Sequence, residues 1–210
     1  DVFARQLESY LRGDTPYLRG TMGMINMALG ALGGDPRVTP VVIYQLSWSA
    51  GGDALVVKPG IKAAQDLKGK TIALQAYGPH VDYLGKLLKD AGLSFGDVKI
   101  VWLPDLTGTD NTPMAAFYEG NVDAALVIIP DALLLSSGGN VGTGAEGSVK
   151  GARILLSTKT ANRIIADVYA VRADFLKAHP DEVQTLVHGL MKAQEAMTKL
   201  VANRAAQAED

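Results

Sequence analysis

Short apolar runs alternate with amphipathic stretches between residues 53 and 139, and this alternation constrains the fold more than any other feature. The runs DALVVK, TIALQ, VKIVWL and VDAALVII have the length and composition of strands. Helical patterns separate them, and the clearest spans residues 80–91. A strand–helix–strand rhythm with short connections is typical of right-handed crossovers between parallel strands. The sequence therefore predicts an α/β fold with mostly parallel sheets, whose strands are buried on both faces.

Further elements flank this alternation on both sides. Residues 1–12 have helical spacing, and residues 13–20 are predicted to form a turn-rich connection. The run VVIYQLSW at 41–48 predicts a buried strand, and RILLS and DVYAVR predict two more near the end of the chain. A long helix is expected from Pro180, because Pro suits the first helical position. Asn26 is expected to help start the helix within TMGMINMALGAL.

The composition excludes several classes of function. With a net charge of −2 and mixed basic and acidic residues, the chain offers no electrostatic case for binding nucleic acid. No apolar run reaches eighteen residues, so no membrane-spanning helix is expected. The chain has no Cys, which excludes disulfides, thiolate chemistry and Cys-ligated metals, and its three His lack metal-ligand spacing. We therefore expect no metal, no cofactor and no catalytic residues.

Residues 142–147 match the G-x-G-x-x-G pattern of dinucleotide-binding loops. Such a loop must follow a strand and open a helix, so that free backbone N–H groups meet the pyrophosphate. Here the glycines follow a predicted helix and lead into a strand, within a Gly-rich stretch at 136–152. The pattern therefore favours a surface loop over a cofactor site.

The strand TIALQ passes into the next helix through residues 76–80, and this connection is the strongest candidate for a binding site. It lies at the carboxyl edge of the predicted sheet, where ligands bind in open α/β folds. The first N–H groups of the helix lack partners inside it and attract an anionic or polar group. Two interpretations remain open: a simple turn with Tyr83 in the core, or a site in which Tyr77, Gly78, His80 and Tyr83 contact a ligand.

Other segments carry candidate ligand contacts because each lies where a strand ends or where the chain crosses between lobes. The crossing SWSAGG has small residues that permit a hinge, and its Trp offers an apolar wall. The alternatives are a loop with a buried Trp, Met side chains in the core, and an acidic residue at a helix start. The candidates in these segments are Ser47, Trp48, Ser49, Gly52, Thr21, Met24, Asn26, Pro130, Asp131 and Asp167.

Four long segments together resemble the periplasmic substrate-binding proteins of ABC importers, in the nitrate, sulfonate, taurine and thiamine-precursor (NMT1-like) group. The segments are GGDALVVKPGIKAAQDLKGKTIAL, YGPHVDYLGKLLKDAGLSFGDVKIVWLP, AAFYEGNVDAALVIIPDALL and IADVYAVRADFLKAHPDEVQTLVHGLMKA. The resemblance covers about residues 8–200 and implies the two-lobe type II periplasmic-binding-protein fold. It also implies that residues 76–80, Pro130 and Asp131 face the solute.

The resemblance further implies how the chain is divided and where it works. Residues 1–50 are expected to form part of lobe I, residues 51–170 lobe II, and residues 171–210 a C-terminal helix that returns to lobe I. The family's first strand, helix and strand are expected to lie before Asp1, so we interpret the chain as part of a longer one. A periplasmic or extracytoplasmic location is implied, with any lipid anchor or fusion outside this chain.

The function that the resemblance implies is binding without catalysis. The protein is expected to hold a small anionic or polar solute, such as a sulfonate, nitrate, bicarbonate or a pyrimidine-like molecule, and to deliver it to an ABC transporter permease. Two alternatives remain, an enzyme on the same fold and a binding module of a larger cell-envelope or sensor protein. The group's pyrimidine-synthesising enzymes carry a Cys-rich motif that this chain lacks, which disfavours the nearest enzymatic alternative.

Overall fold

The computed structural model describes residues 2–138, 147–161 and 163–208, so the Gly-rich motif that begins at Gly142 lies almost wholly outside the described residues. The described residues form two β-sheets with helices packed on them. The strands are β1 Tyr17–Thr21, β2 Pro40–Trp48, β3 Asp53–Val57, β4 Thr71–Gln75, β5 Lys99–Leu103, β6 Ala124–Ile128, β7 Arg153–Ser157 and β8 Ala166–Arg172. The α-helices are α1 Val2–Arg12, α2 Met22–Ala28, α3 His80–Asp90, α4 Pro113–Tyr118, α5 Ile129–Ser136, α6 Ala173–Ala178 and α7 Pro180–Ala208.

The larger sheet has the order β5-β4-β6-β3-β7 and lies between two layers of helix; we call this unit the second lobe. The interior positions of its central strands are all apolar, because one face packs on α3 and the other on α4 and α5. Tyr83 and Leu84 of α3 belong to the first core, and Phe117 and Leu135 belong to the second. The predicted α/β architecture is confirmed.

The prediction of mostly parallel sheets is wrong. Among the described strands, only the pairs β4–β5 and β4–β6 are parallel. Strand β3 pairs antiparallel with both β6 and β7. The physical reason is connectivity, since β3 enters from the smaller sheet and β7 leaves towards it. No crossover helix fixes the direction at these two connections, and the right-handed crossover rule does not apply to them.

The smaller sheet has the antiparallel order β1-β8-β2; with α1 and α2 it forms the first lobe. Phe3 and Tyr10 of α1 pack with Ile25 of α2 against Leu18 and Val168 of the sheet. Part of the connection expected at 13–20 is instead the strand β1. The boundary expected at residue 170 falls within β8, which pairs with β1 and β2 in the smaller sheet.

Helix α2 starts at Thr21 rather than through Asn26. The Thr21 hydroxyl accepts a hydrogen bond from the backbone N–H of Met24 at 3.2 Å, which is the usual role of an N-cap residue. Asn26 lies in the helix interior with its side chain exposed. The turn is therefore fixed by a residue that also faces the space between the lobes.

Helix α7 is buried only near its start, although the Tyr44 hydroxyl of β2 also donates a hydrogen bond to the Gln194 side chain in the middle of the helix. Val183 is buried, whereas residues 191–204 are all exposed, among them Met197 and Leu200. In the part of the chain that the structure describes, neither this helix nor any other is long and apolar enough to cross a membrane.

Candidate functional site

Two chain segments cross side by side between the lobes: residues 49–52, and residues 158–165 except residue 162, which lies outside the described residues. The backbone N–H of Ser49 donates to the carbonyl oxygens of Ile164 at 3.2 Å and Ile165 at 3.1 Å. The Thr158 hydroxyl oxygen accepts from the N–H of Gly51 at 3.0 Å and of Asp53 at 3.2 Å. Gly51 has a φ of +99°, a conformation that other residues rarely adopt. The crossings thus meet at one polar junction, which is the place for a hinge.

A cleft of about 450 Å³ opens between the lobes beside this junction. That volume is within the range of small-molecule sites, about 300–1,000 Å³. The first lobe contributes Phe3, Gln6, Arg19, Gly20, Thr21, Met24 and Asp167, the second lobe contributes Asp53, Gln75, Pro79, Asp105, Leu106, Thr107 and Ile128, and the crossing contributes Ile165.

Charges of both signs line the cleft. Arg19 supplies the guanidinium, and Asp53, Asp105 and Asp167 supply carboxylates. Arg19 lies opposite Tyr169 in the β1–β8 ladder, with its Cζ 6.0 Å from the centre of the Tyr169 ring. It forms no ion pair with any residue that the structure describes, so its N–H donors remain available to an anionic group.

A hydrogen-bonded network holds Asp53 at the floor of the cleft. His80 Nε2 lies 2.7 Å from Asp53 Oδ1, and the Ser49 hydroxyl donates to Asp53 Oδ2 at 2.5 Å. The Ser49 hydroxyl also lies 2.7 Å from the hydroxyl of Thr158. Burial raises the pKa of the Asp53 carboxyl, but His80 and Ser49 together outweigh burial and leave that pKa below its ordinary value. Asp53 is therefore an ionised carboxylate near neutral pH.

The predicted site residues fall into three groups, and the first lies in or beside the cleft. Thr21, Met24 and Asp167 line the cleft. Ser47 is brought to them by strand register, since Thr21 and Ser47 both lie opposite Asp167, and the Ser47 hydroxyl donates to Asp167 Oδ2 at 3.0 Å. Trp48 lines an adjoining cavity of about 260 Å³ together with Thr21.

In the 76–80 connection, the side chains predicted to contact a ligand do not line the cleft. Tyr77 points away into solvent with 71% of its surface exposed, whereas His80 is fully buried against Asp53. Gly78 is favoured by close packing, because a Cβ there would lie 2.8 Å from the Cβ of Gln75. Tyr83 lines a different cavity. Direct contact between these side chains and a ligand in the cleft is not what this geometry supports.

The remaining predicted residues lie outside the cleft, in the crossing between the lobes or in helices. Gly52 and Ser49 belong to the crossing, and Pro130 and Asp131 lie in the first turn of α5. Asp131 is partly buried, which raises the pKa of its carboxyl. None of these four residues, and not Asn26, is among the described residues that line the cleft.

Several residues that line the cleft were not among those predicted from the sequence. Asp105, Leu106 and Thr107 follow β5, and β5 runs parallel to β4, so its end lies at the same sheet edge as residue 76. The rule that selected the end of β4 would have found them. Arg19 was not recognisable as a cleft residue, because the sequence predicts a connection and not a strand at residues 13–20. In the described part of the chain, no group of three His, Cys, Asp or Glu is placed to hold a metal ion.

Comparison with known proteins identifies a sequence family. Residues 53–200 match the family described as NMT1/THI5 like. The chain is 30% identical over 178 residues to the taurine-binding periplasmic protein of Escherichia coli (strain K12), an alignment that covers 81% of this chain and 51% of that protein. The chain thus spans about half the length of this curated relative. These matches confirm the resemblance noted in the sequence.

Solved structures show the same fold. The periplasmic aliphatic sulphonate-binding protein SsuA from Escherichia coli superposes with a TM-score of 0.68 at 22% identity, over 95% of this chain and 62% of that one. The periplasmic sulfonate-binding protein SsuA from Methylobacillus flagellatus KT, of a sulfonate ABC transporter, gives a TM-score of 0.64 at 25% identity, over 89% and 51% of the two chains. The two-lobe periplasmic-binding-protein fold is confirmed.

Proposed function

The chain belongs to the NMT1/THI5-like family, and on that premise we propose that it is a solute-binding protein that holds a small polar molecule between its lobes. The protein works without catalysis, in the periplasm or at the outer face of a membrane. It passes its solute to the permease of an ABC importer. The observation that carries this proposal is the cleft between the lobes, lined by one guanidinium and three carboxylates.

The charges in the cleft favour a particular class of solute. A simple anion such as nitrate or bicarbonate pairs with Arg19 but is repelled by Asp53, Asp105 and Asp167. A zwitterion satisfies both signs, with its anionic group on the guanidinium and its ammonium on a carboxylate. Taurine, the ligand named for the Escherichia coli relative, is an aminosulfonate of this kind. We assign the solute to small zwitterions, with aminosulfonates as the leading class.

Closure around the solute follows from the two crossings. A ligand that contacts both lobes binds the closed form better than the open one and shifts the population towards closure. Residues 49–52 and 158–165 are the segments whose backbone angles must change, and Ile165 already has a φ of +52°, an unusual value for a β-branched residue. The permease is expected to recognise the closed form.

Isothermal titration calorimetry with taurine and ethanesulfonate tests the proposal. Ethanesulfonate has the same anionic group but no ammonium, so taurine is expected to bind more tightly. Arg19→Gln is expected to lower affinity for both ligands by roughly tenfold or more, because a hydrogen bond to a charged group is lost. Asp167→Asn is expected to weaken taurine alone. Arg5→Gln, on the exposed face of α1, is the matched control and leaves both affinities unchanged.

Two results would count against the proposal. If Arg19→Gln and Arg5→Gln bind taurine equally well, the cleft is not the binding site. If the protein binds neither sulfonate, the aminosulfonate assignment fails, and a further absence of binding to nitrate, bicarbonate and cytosine overturns the solute-binding function itself.

A further inference from the structure

A second cavity lies in the second lobe and shares no lining residue with the cleft between the lobes. Its volume is about 420 Å³, which is also within the range of small-molecule sites. Helix α3, the short helical turn at 64–67, the end of β7 and the crossing 158–165 form its walls. We call it the α3 cavity.

Tyr83 gives the α3 cavity a hydrogen-bond donor. The side chain is only 1% exposed, and its hydroxyl has no hydrogen-bond partner among the described residues. Tyr83 lines the cavity, so an acceptor on a ligand there can take the hydrogen bond that no described residue accepts from its hydroxyl. Burial, aided by the negative charge of Asp53, raises the pKa of the Tyr83 hydroxyl to about 12. The hydroxyl therefore keeps its proton and remains a donor throughout the physiological range.

The walls around Tyr83 are mainly apolar, and the charges at the rim cancel. Leu87, Leu156 and Ile164 provide aliphatic surface. At the rim, Lys86 Nζ lies 2.6 Å from Asp90 Oδ2, so the two charges on this helix face neutralise each other. Such a lining offers no fixed net charge to a ligand and disfavours an ion, which would lose its hydration without gaining a partner.

We propose that the α3 cavity is a second ligand site, which takes an uncharged molecule with an apolar body and one hydrogen-bond acceptor that meets the Tyr83 hydroxyl. This ligand differs in class from the charged solute of the cleft, and the proposal stands whether or not that solute is an aminosulfonate. Tyr83 acts here as a specificity residue, since its ring forms part of the wall and its hydroxyl selects for the acceptor.

Nuclear magnetic resonance titration of the whole protein with acetophenone and cumene tests the site. The two molecules have similar shapes, but only acetophenone carries a carbonyl acceptor. Acetophenone is expected to shift the amide signals of Leu87, Leu156 and Ile164 in a saturable manner and to bind more tightly than cumene. Tyr83→Phe is expected to weaken acetophenone by roughly fivefold and to leave cumene unchanged, because only the hydroxyl is lost.

Two further variants serve as controls. Tyr118→Phe removes a hydroxyl from an exposed tyrosine on α4 and is expected to change nothing. Ala161→Leu fills the cavity and is expected to abolish the binding of both molecules. The proposal is overturned if the signal shifts do not saturate, if they map elsewhere, or if Tyr83→Phe binds acetophenone as the native protein does. Should Tyr83→Phe not fold, equal affinity of the native protein for the two molecules overturns it instead.

Discussion

His80 Nε2 lies 2.7 Å from Asp53 Oδ1 and joins the first turn of α3 to the first residue of β3. His80 is completely buried, and its other ring nitrogen, Nδ1, has no partner among the described residues. Asp53 lines the cleft and His80 does not, so His80 affects the cleft only by holding the Asp53 carboxylate in place. We therefore propose that His80 positions Asp53 and does not itself contact the solute.

We expect His80→Ala to destabilise the protein by about 3 kcal/mol, because removing one partner of a buried pair leaves the other without compensation. Urea unfolding curves of the native protein and the variant measure the difference. His188→Ala is the matched control, since His188 is exposed on α7 and its loss is expected to change stability by less than about 0.5 kcal/mol. Equal stabilities of the two variants would show that the His80–Asp53 pair contributes nothing.

The hydrogen bonds of Asp53 also make the unfolding free energy depend on pH, through the ionisation of Asp53. Its pKa in the folded protein lies below 3.8, its ordinary value, so ionised Asp53 stabilises the fold above that pH. This contribution is lost as the pH falls through the lower, folded pKa. The difference in unfolding free energy between the native protein and Asp53→Asn is therefore expected to shrink as the pH falls below about 4. A difference that stays constant down to pH 3 contradicts the assignment.

The lobes approach each other closely at Gly23, so we expect a larger side chain there to weaken solute binding. A Cβ on Gly23 of α2 would overlap the carboxylate of Asp82 on α3. Gly23→Ala is tolerable because the Asp82 side chain can turn away, whereas Gly23→Leu has to push the lobes apart. We expect Gly23→Leu to weaken taurine binding by roughly tenfold, which corresponds to about 1.4 kcal/mol of strain in the closed form.

Small-angle X-ray scattering without ligand is a second measurement of the same effect, with a larger radius of gyration expected for Gly23→Leu. Gly30→Leu is the matched control, because a Cβ on Gly30 meets no atom within 4 Å. If both variants have the native radius and affinity, the lobes do not approach through Gly23.

Local pattern was sufficient to predict the elements of the second lobe and insufficient to predict how they are joined. Runs such as TIALQ and AALVI form strands because both of their faces are covered, and such runs are visible in sequence. The direction of β3 depends on a crossing from another sheet, which no local pattern records.

The same limit applies to the cleft. Thr21, Ser47 and Asp167 meet through strand register, although 146 positions separate the first from the last. Each was selected separately, because each lies near a strand end. Arg19 was not predicted because its strand is short and polar, and the burial of His80 was not predicted because it comes from tertiary packing, which cannot be read from a helix start.

The backbone conformation of Tyr77 is expected to lower the stability of the protein. Its φ is +54°, in the left-handed region that costs a residue with a side chain about 1–2 kcal/mol, and its exposed ring gains little packing in return. Gly adopts this conformation without that cost, although it loses more conformational entropy on folding. We therefore expect Tyr77→Gly to stabilise the protein by about 0.5–1 kcal/mol in thermal or urea unfolding.

Tyr118→Gly, at an exposed helical position on α4, is the control and is expected to destabilise the protein by a similar amount. If Tyr77→Gly proves destabilising as well, the Tyr77 side chain makes a contact that outweighs its strain; loss of taurine binding in the same variant would restore Tyr77 as a ligand contact.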